Sequence, residues 1–364
     1  MDAMSPASKV PPAKVARGVE RIRHCLYRLN QRLTPAPAAM MEMIIAGWTS
    51  QAITVAAELG VADAFAGGPL TIDELAAKVG ADADALHRLL RALISRGVFR
   101  HRGDGRYELN WLGETLRSDA RVSMACAARF YGSREQRERW TRLEDAIRTG
   151  ASVVPALRDK ASFDYFAERP ELADLFNQTM TSISELTTEA VVAGYDFSAF
   201  RAIVDVGGGQ GQFLAAILAA APSSRGVLYD LPWVVGSAPK TLQDVCDRVS
   251  IAEGSFFDCV PDGGDAYILK NIVHDWPDEK AVQILRNVRS VAHPGTTVLL
   301  VELVIPEHDR DFPGKWSDLE MLLNLGSRER TAAEYRMLLI QAGFRMTRVV
   351  QTASPLSVVE AWAE

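Results

Sequence analysis

The sequence predicts an α/β protein in which a mostly helical N-terminal part precedes a doubly wound, largely parallel sheet. Three observations lead to this fold class. Short apolar strands alternate with helices from about residue 196 to the end of the chain. The first of these strands runs into four glycines, within residues 207–211, and then into an apolar helix. Earlier in the chain, two short helical patterns and a β-hairpin pattern, within residues 70–109, predict a winged helix-turn-helix.

Residues 1–36 form an N-terminal arm. Its first 13 residues are rich in Pro, Ala and Ser, and two prolines in segment 34–37 end it. Between them, basic residues alternate with apolar residues that recur at steps of three or four, which are Val15, Val19, Ile22, Cys25, Leu26, Leu29 and Leu33. This pattern predicts a basic amphipathic helix. Such a helix either binds an anionic membrane surface or, as we favour, packs as an arm on its own or a partner subunit.

Residues 37–150 are predicted to form a winged-helix dimerisation domain. Residues 40–65 have the pattern of one long apolar helix, which we expect to interleave with that of a partner. A helix capped by Thr71 and a second helix from Asp82 follow, and then two short strands on either side of a Gly-rich turn. A charged helix, residues 133–148, completes this domain.

A winged helix can also bind DNA, but the charges here argue against it. Basic and acidic residues nearly balance within segment 71–118, and the second helix opens with Asp82 and Asp84, where a recognition helix would approach phosphate. The whole chain carries a net charge of −6. We therefore predict no nucleic-acid partner and keep a ligand-sensing winged-helix regulator as an alternative.

Residues 151–195 are predicted to be a helical connection, with an aromatic segment at 163–166 and a long helix from Pro170 to about Gly194. The doubly wound domain then occupies residues 196–364. Its strands are predicted near residues 202–206, 226–230, 248–251, 266–270, 297–303 and 344–350, with a last apolar stretch at 356–362. Ligands of such a sheet bind at the carboxyl ends of its strands.

The cysteines and the apolar runs bear on where the protein works. The four cysteines contain no CxxC pair and lie in no His-rich neighbourhood, so they indicate neither a zinc site nor a disulfide framework. The sequence has no apolar run of about 18 residues and no signal-type segment. We therefore predict a cytoplasmic protein without stable membrane insertion.

The spacing of the glycines indicates the kind of ligand. A dinucleotide fingerprint would need glycine at position 212, which is Gln212, whereas the loop has Gly207, Gly209 and Gly211. Asp205 precedes the loop, and Asp230 ends the next strand, at the distance where an acid accepts hydrogen bonds from ribose hydroxyls. This pattern resembles that of the S-adenosylmethionine-dependent methyltransferases. A glycine-rich loop without a ligand is the alternative.

A candidate base follows the fourth strand. His274 lies just past its carboxyl end, on the same edge of the sheet as the glycine loop. We interpret the adjacent Asp275 as a structural N-cap, because consecutive residues of a helix do not face one another. A carboxylate that orients the imidazole then has to be Glu302, at the end of the fifth strand, or Glu329, in the loop before the next helix. The alternative interpretation of Glu329 is a capping or surface role. The alternative interpretation of His274 is a purely structural role.

Several motifs taken together resemble the plant-type (family 2) small-molecule O-methyltransferases and their bacterial relatives. The chain carries the winged-helix front half, Phe176-Asn-x-x-Met180, the glycine loop, Asp230-Leu-Pro232, Leu269-Lys-x-x-x-His-Asp-Trp276 and Arg328-Glu-Arg-Thr331, in that order. The resemblance covers about residues 40–364. It implies a class I methyltransferase Rossmann-like sheet, a winged-helix dimerisation domain and an obligate homodimer.

The resemblance also implies roles for individual residues. His274 would be the general base, flanked by Glu302 and Glu329. The S-adenosylmethionine site would contain Asp205, Gly207, Gly209, Gly211, Asp230, Leu231, Ser255, Phe256, Lys270 and Ser184. The acceptor pocket, lined by the helical connection, would contain Phe176, Met180, Ile183 and Asn324.

Two positions depart from the family pattern. Ser255 stands where the family has an acid near the adenine amino group, so it is expected to bind the cofactor more weakly. Ile183 replaces a residue that is often polar in plant members, which favours a larger polycyclic or apolar aromatic acceptor.

The sequence therefore predicts a metal-independent O-methyltransferase that methylates a hydroxyl of an aromatic or polycyclic secondary metabolite and releases S-adenosylhomocysteine. A family member with decarboxylating or hydroxylating chemistry is the second alternative to this function.

Overall fold

A computed structural model of the chain describes residues 10–158, 165, 168–236 and 238–364. The chain folds into two compact units. The helical unit comprises Leu26–Glu144 and Pro155–Glu185, and the sheet unit comprises Met1–Cys25, Asp145–Val154 and Leu186–Glu364. Of the predicted aromatic segment 163–166, all residues except Tyr165 lie outside the described residues. The domain boundaries expected from the sequence stay a prediction.

The N-terminal arm contains the predicted amphipathic helix, α1 (Ala13–Arg32). None of its side chains is buried within this one chain, and Val15, Ile22 and Leu29 are each at least half exposed. The predicted packing of this arm on its own or a partner subunit stays a prediction.

The single long helix predicted for residues 40–65 is wrong. This region forms three helices, α2 (Ala36–Ile44), α3 (Ala46–Glu58) and α4 (Val61–Ala64). Ile45 interrupts the helical geometry with ψ near 0°, and Gly60 takes a left-handed φ of +64°, which a continuing helix does not allow. The apolar pattern did not show these breaks, because all three helices keep their apolar residues at helical spacing.

The winged helix-turn-helix is confirmed. Thr71 and Glu74 form a capping box at the start of α5 (Ile72–Val79), and Asp82 caps α6 (Ala83–Ser95). The hairpin pairs β1 (Arg100–His101) with β2 (Tyr107–Glu108). The core of this winged helix contains Val61, Phe65, Leu75, Leu86, Leu90, Leu93, Phe99 and Tyr107.

The charged helix predicted for residues 133–148 is divided. Beyond α7 (Ala125–Tyr131), the chain forms α8 (Arg134–Trp140) and α9 (Leu143–Thr149). At the break, the Thr141 hydroxyl donates to the carbonyl of Glu138, a local bond that competes with helix continuation. Next come α10 (Val154–Arg158) and the long predicted helix, α11 (Pro170–Gly194).

The sheet unit contains a seven-stranded sheet, and the predicted doubly wound fold is confirmed. All six predicted strands are present, and no end differs from its expected position by more than two residues. The strands are β3 (Ala202–Val206), β4 (Arg225–Asp230), β5 (Val249–Glu253), β6 (Ala266–Lys270), β7 (Thr297–Glu302), β8 (Phe344–Gln351) and β9 (Ser357–Ala363). The last apolar stretch of the chain forms β9.

The order of the strands determines where a ligand can bind to the sheet. The sheet runs β5-β4-β3-β6-β7-β9-β8, and its first five strands are parallel. β9 lies antiparallel between β7 and β8. The order reverses between β3 and β6, and such a switch point leaves a crevice at the carboxyl ends of the strands.

Helices cover both faces of this sheet. They are α12 (Gln212–Ala220), α13 (Pro232–Val235), α14 (Ala238–Thr241), α15 (Asp278–Val291), α16 (Pro313–Leu325) and α17 (Ala332–Gln341). Alternate residues of β3 belong to two separate apolar clusters. Val204 and Val206 share a cluster with residues of α15, and Ile203 shares the other with residues of α12.

No single helix in the described part of the chain is long and apolar enough to cross a membrane. One pair of helical segments, Ala36–Glu58 and Val61–Gly67, meets the length and composition criteria together but is bent by 51°.

The core of the winged helix provides a stability test. Leu90 is fully buried, whereas Leu89, on the same helix, is half-buried. We expect Leu90→Ala to lower the free energy of unfolding of the helical unit by about 2–5 kcal/mol, because the substitution leaves a cavity. The matched variant Leu89→Ala should lower the free energy of unfolding by a smaller amount. Urea unfolding of both variants tests this, and an equal or larger loss for Leu89→Ala contradicts the assigned packing.

Candidate active site

The glycine loop follows β3 and has the backbone that the sequence predicts. Gly207, Gly209 and Gly211 all have left-handed φ values, of +72°, +62° and +85°. The N–H of Gly207 donates to the carbonyl of Tyr229 at 2.8 Å. A Cβ atom at Gly207 would lie 2.5 Å from Cδ1 of Ile272, so this part of the loop has no room for a side chain.

Asp205 lies beneath this loop, near the carboxyl end of β3. It is almost completely buried, and its Oδ2 has no hydrogen-bond partner among the described residues. Burial raises the pKa of Asp205 to about 7, while the charge of Lys270 opposes the rise. An unpaired buried acceptor next to a glycine loop fits a ligand that donates a hydrogen bond there.

Asp230 ends β4 on the same edge of the sheet. Its Oδ2 accepts the N–H of Gly209 at 2.8 Å, and its Oδ1 accepts the N–H of Leu231 at 2.7 Å. These bonds fix the carboxylate and leave lone pairs that can accept ligand hydroxyls. Asp230 therefore joins the glycine loop to the start of α13.

The other predicted cofactor residues of the sheet unit lie after β5 and at the end of β6. Ser255 accepts the N–H of Phe257 at 3.2 Å, and Phe256 meets Trp276 edge to face. Lys270 is the last residue of β6, and its ammonium lies over the ring of Phe213, 5.5 Å from the centroid. Burial lowers the pKa of Lys270, and the charges of Asp205 and Glu302 oppose this shift.

Glu302 ends β7, next to the end of β6, as predicted. The pairing of these two strands brings its buried carboxylate beneath the turn that follows β6. Its Oε1 accepts the N–H groups of Ile272 at 3.2 Å and Val273 at 2.9 Å. These two bonds explain why an acid is accommodated at the end of an otherwise apolar strand.

His274 belongs to this turn, Val273–Asp275, and two buried glutamates flank its ring. Nδ1 lies 2.9 Å from Oε1 of Glu329 and 3.9 Å from Oε2 of Glu302. The side chain of His274 is 13 % exposed, and that of Glu329 is completely buried. Glu329 is thus neither a surface charge nor the cap of the next helix, which is Thr331.

Asp275 differs from the prediction. The N-cap of α15 is Pro277, so Asp275 does not cap this helix. It lies in a short 3-10 turn, where its Oδ1 comes within 3.4 Å of Nε2 of His274. The expectation that Asp275 and His274 would not face one another is therefore wrong. The imidazole therefore has a carboxylate near each of its nitrogens.

Two further residues hold the cluster in place, and sequence reasoning did not identify their roles. Arg330 is fully buried; it donates to the carbonyls of Val273 and Trp276 and pairs with Asp278 at 2.7 Å. It thereby fastens the loop with Glu329 to the turn with His274. Ser317 donates to Oε1 of Glu329 at 2.7 Å. The Arg328-Glu-Arg-Thr motif contained a signal for Arg330, whereas a lone serine gave none.

The carboxylates control the protonation of His274. Burial by itself would lower the pKa of His274, but the charges of Asp275, Glu302 and Glu329 outweigh it and raise the pKa to about 10. Burial raises the pKa of Glu302 to about 7 and that of Asp275 to about 6, against the attraction of His274. The site thus has a high affinity for protons.

The same three side chains can also be considered as metal ligands. One donor atom from each of His274, Glu302 and Glu329 lies within 4.8 Å of the others. However, Nδ1 of His274 is bonded to Glu329, and Oε1 of Glu302 already accepts two backbone N–H groups. The second carboxylate oxygens of Glu302 and Glu329 have no hydrogen-bond partner among the described residues.

The predicted acceptor residues belong to two helices. Phe176, Met180 and Ile183 recur at helical spacing on α11, and Ser184, predicted for the cofactor site, follows them. The ring of Phe176 packs 5.5 Å from that of Phe130 within the helical unit. Asn324 lies on α16, in the sheet unit, and is half-buried. Their roles in binding the acceptor or the cofactor stay predictions.

Comparison with known proteins identifies the family. Residues 140–345 match the model of the O-methyltransferase domain, and residues 41–119 match that of the O-methyltransferase dimerisation domain. A phenazine O-methyltransferase of Lysobacter antibioticus is 41 % identical over 329 residues, which cover 90 % of this chain and 96 % of that protein.

Two solved structures extend the comparison to ligands. A methyltransferase of calicheamicin biosynthesis with bound S-adenosylhomocysteine is 34 % identical, with a TM-score of 0.82, and the match covers 90 % of this chain and 98 % of that one. An O-methyltransferase of neocarzinostatin biosynthesis, in complex with S-adenosylmethionine and 2-hydroxy-5-methyl naphthoic acid, is 35 % identical, with a TM-score of 0.74 and coverage of 87 % and 96 %.

The glycine loop, the orphaned Asp205 and the acid at the end of β4 fit the cofactor of these structures. The chain belongs to the plant-type (family 2) O-methyltransferases and is an S-adenosylmethionine-dependent O-methyltransferase with a class I Rossmann-like fold.

Proposed function

We propose that this enzyme methylates a hydroxyl of an aromatic or polycyclic secondary metabolite, with His274 as general base and without a metal ion. The observation that carries the proposal is that the His274 cluster adjoins the glycine loop. The side chain of Ile272 borders the loop at Gly207, while its N–H group donates to Glu302. One residue thus links the cofactor site to the carboxylate beside the base.

The chain's own groups are suited to bind the cofactor. The loop at 207–211 offers backbone N–H groups, Asp230 offers carboxylate oxygens for ribose hydroxyls, and Asp205 offers a buried acceptor. When bound, S-adenosylmethionine supplies a methyl group activated by a positive sulfonium. Leu231, Ser255, Phe256, Lys270 and Ser184 complete the proposed site.

The protonation of His274 suits a phenolic acceptor. A phenol has a pKa of about 10, close to the value to which the carboxylates raise that of His274. A proton can therefore pass from the acceptor oxygen to the imidazole at little cost in free energy. Nδ1 is bonded to Glu329, so Nε2 receives the proton, and Asp275 stabilises the resulting charge.

The proposed acceptor class rests on the relatives and on the residue types proposed for the pocket. One relative is named a phenazine O-methyltransferase, another was solved in complex with a naphthoic acid, and Phe176, Met180 and Ile183 are apolar. Asn324 is the polar residue of this proposed set. These residues support an aromatic or polycyclic acceptor more than a small polar one.

We also propose that the protein is a homodimer that works in the cytoplasm without binding nucleic acid. The match to a dimerisation domain and the exposed apolar residues of the helical unit, which include Met40, Met41, Ile44 and Trp48, support the dimer. The acids at the start of α6 argue against DNA. Decarboxylating or hydroxylating chemistry remains the alternative for the same pocket.

The role of His274 is tested by His274→Ala. We expect kcat for methyl transfer to fall by about 10²–10⁴, because the base is lost, while calorimetry shows unchanged binding of S-adenosylmethionine. The assay follows labelled methyl into small molecules, protein and nucleic acid, which also separates the alternative functions.

The matched control is His293→Ala, since His293 lies before β7, at the opposite edge of the sheet. It should keep full turnover. Methyl transfer by His274→Ala at the wild-type rate would mean that the base has been misassigned.

The raised pKa of His274 predicts a pH profile. Only the neutral imidazole accepts a proton, and its fraction grows as the pH rises towards the pKa of about 10. We therefore expect kcat/KM for a phenolic acceptor to increase from pH 7 to pH 9. A profile that is already level above pH 6.5, the ordinary value for histidine, would contradict this.

Metal independence is tested by chelation. We expect turnover to be unchanged after dialysis against EDTA, because Nδ1 of His274 is already hydrogen-bonded to Glu329 and Oε1 of Glu302 already accepts two backbone N–H groups. Adding Mg²⁺, Mn²⁺ or Zn²⁺ should not increase the rate. A loss of activity that one of these ions restores would instead support a metal held by His274, Glu302 and Glu329.

A further inference from the structure

Two consecutive residues of α16 hold Glu329. The hydroxyl of Ser317 donates to Oε1 of Glu329 at 2.7 Å, and the backbone N–H of Glu329 donates to Oδ1 of Asp318 at 3.0 Å. Ser317 thus fixes the side chain and Asp318 fixes the main chain. Oε1 is also the atom that lies 2.9 Å from Nδ1 of His274, so Ser317 and His274 share one carboxylate oxygen.

The setting makes the Ser317 bond important for Glu329. The carboxylate is completely buried, and its second oxygen has no partner in the described part of the chain. A buried carboxylate oxygen is costly unless a donor group bonds to it. The Ser317 hydroxyl donates to Oε1 and brings no further charge into the cluster of Asp275, Glu302 and Glu329.

The helix that carries Ser317 is itself anchored. At its start, the ammonium of Lys315 donates to the carbonyls of His308 and Arg310, and the indole N–H of Trp316 donates to Asp311 at 3.1 Å. Ser317 is the next residue. Its hydroxyl is therefore presented to Glu329 from a fixed position, as a positioning group requires.

We propose that Ser317 is a positioning residue that keeps the carboxylate of Glu329 aimed at Nδ1 of His274. With Glu329 held this way, Nδ1 carries a proton and Nε2 is the nitrogen that exchanges a proton with the acceptor. The inference rests on the proposed role of His274 as base. It adds Ser317, from α16, to the group formed by His274, Glu302 and Glu329.

The test compares three variants in the full-length protein. Ser317→Ala removes the hydroxyl, and Ser317→Thr keeps it. Ser327→Ala is the matched control, because it deletes a buried hydroxyl in the loop before Glu329 that has no partner among the described residues. Thermal melting of each variant checks that the fold is retained.

We expect Ser317→Ala to lower kcat about tenfold, the effect of losing one hydrogen bond to a charged group, with the KM for S-adenosylmethionine unchanged. Ser317→Thr should recover most of the rate, and Ser327→Ala should match the wild type. Equal rates for Ser317→Ala and the wild type would overturn the inference.

A second measurement does not depend on turnover. The titration of His274 can be followed by NMR of labelled histidine, with its signal assigned by its loss in His274→Ala. Without the Ser317 hydroxyl, the Glu329 carboxylate is no longer held against Nδ1, so less negative charge faces the imidazole and the His274 titration should shift to lower pH. An unshifted titration in Ser317→Ala would contradict the proposal.

The two proposals fail in different ways. If His274→Ala is inactive while Ser317→Ala keeps both the wild-type rate and the wild-type titration, the base assignment stands and the role of Ser317 falls. If His274→Ala keeps full turnover, the base assignment falls, and the positioning role falls with it, whatever the titration shows.

Discussion

The parallel pairing of β6 with β3 on one side and β7 on the other is the constraint on which the site depends. It brings three carboxyl ends to one edge of the sheet. The glycine loop leaves β3, the turn with His274 leaves β6, and Glu302 ends β7. Because these groups sit on paired strands, their spacing is set by backbone hydrogen bonds and not by flexible loops.

Charge balance is the second constraint on the site. A buried carboxylate is costly unless it is hydrogen-bonded or paired, and here Asp275, Glu302 and Glu329 surround one imidazole. Two backbone N–H groups donate hydrogen bonds to Glu302, and the Ser317 hydroxyl donates one to Glu329. The positive charge that offsets these acids comes from protonated His274. The arrangement that allows the acids to be buried therefore also raises the proton affinity of the base.

Sequence patterns were reliable where one local signal decided the structure. Thr71 with Glu74 located the start of α5, and the apolar run ending in Glu302 located β7 with a buried acid at its end. They failed where several geometries share one pattern. The apolar spacing of residues 40–65 suits one helix as well as three, and the breaks at Ile45 and Gly60 are backbone conformations that side-chain spacing does not specify.

The sequence by itself determined the fold class, the glycine loop and the identity of His274, Glu302 and Glu329 as candidates, because each depends on residues close together in the chain. Only the tertiary structure decided which groups touch the imidazole. Asp275, in the 3-10 turn that follows β6, approaches Nε2 of His274. Ser317 and Arg330 act on residues 12 to 57 positions away, and such contacts depend on how helices and loops pack, which no local pattern records.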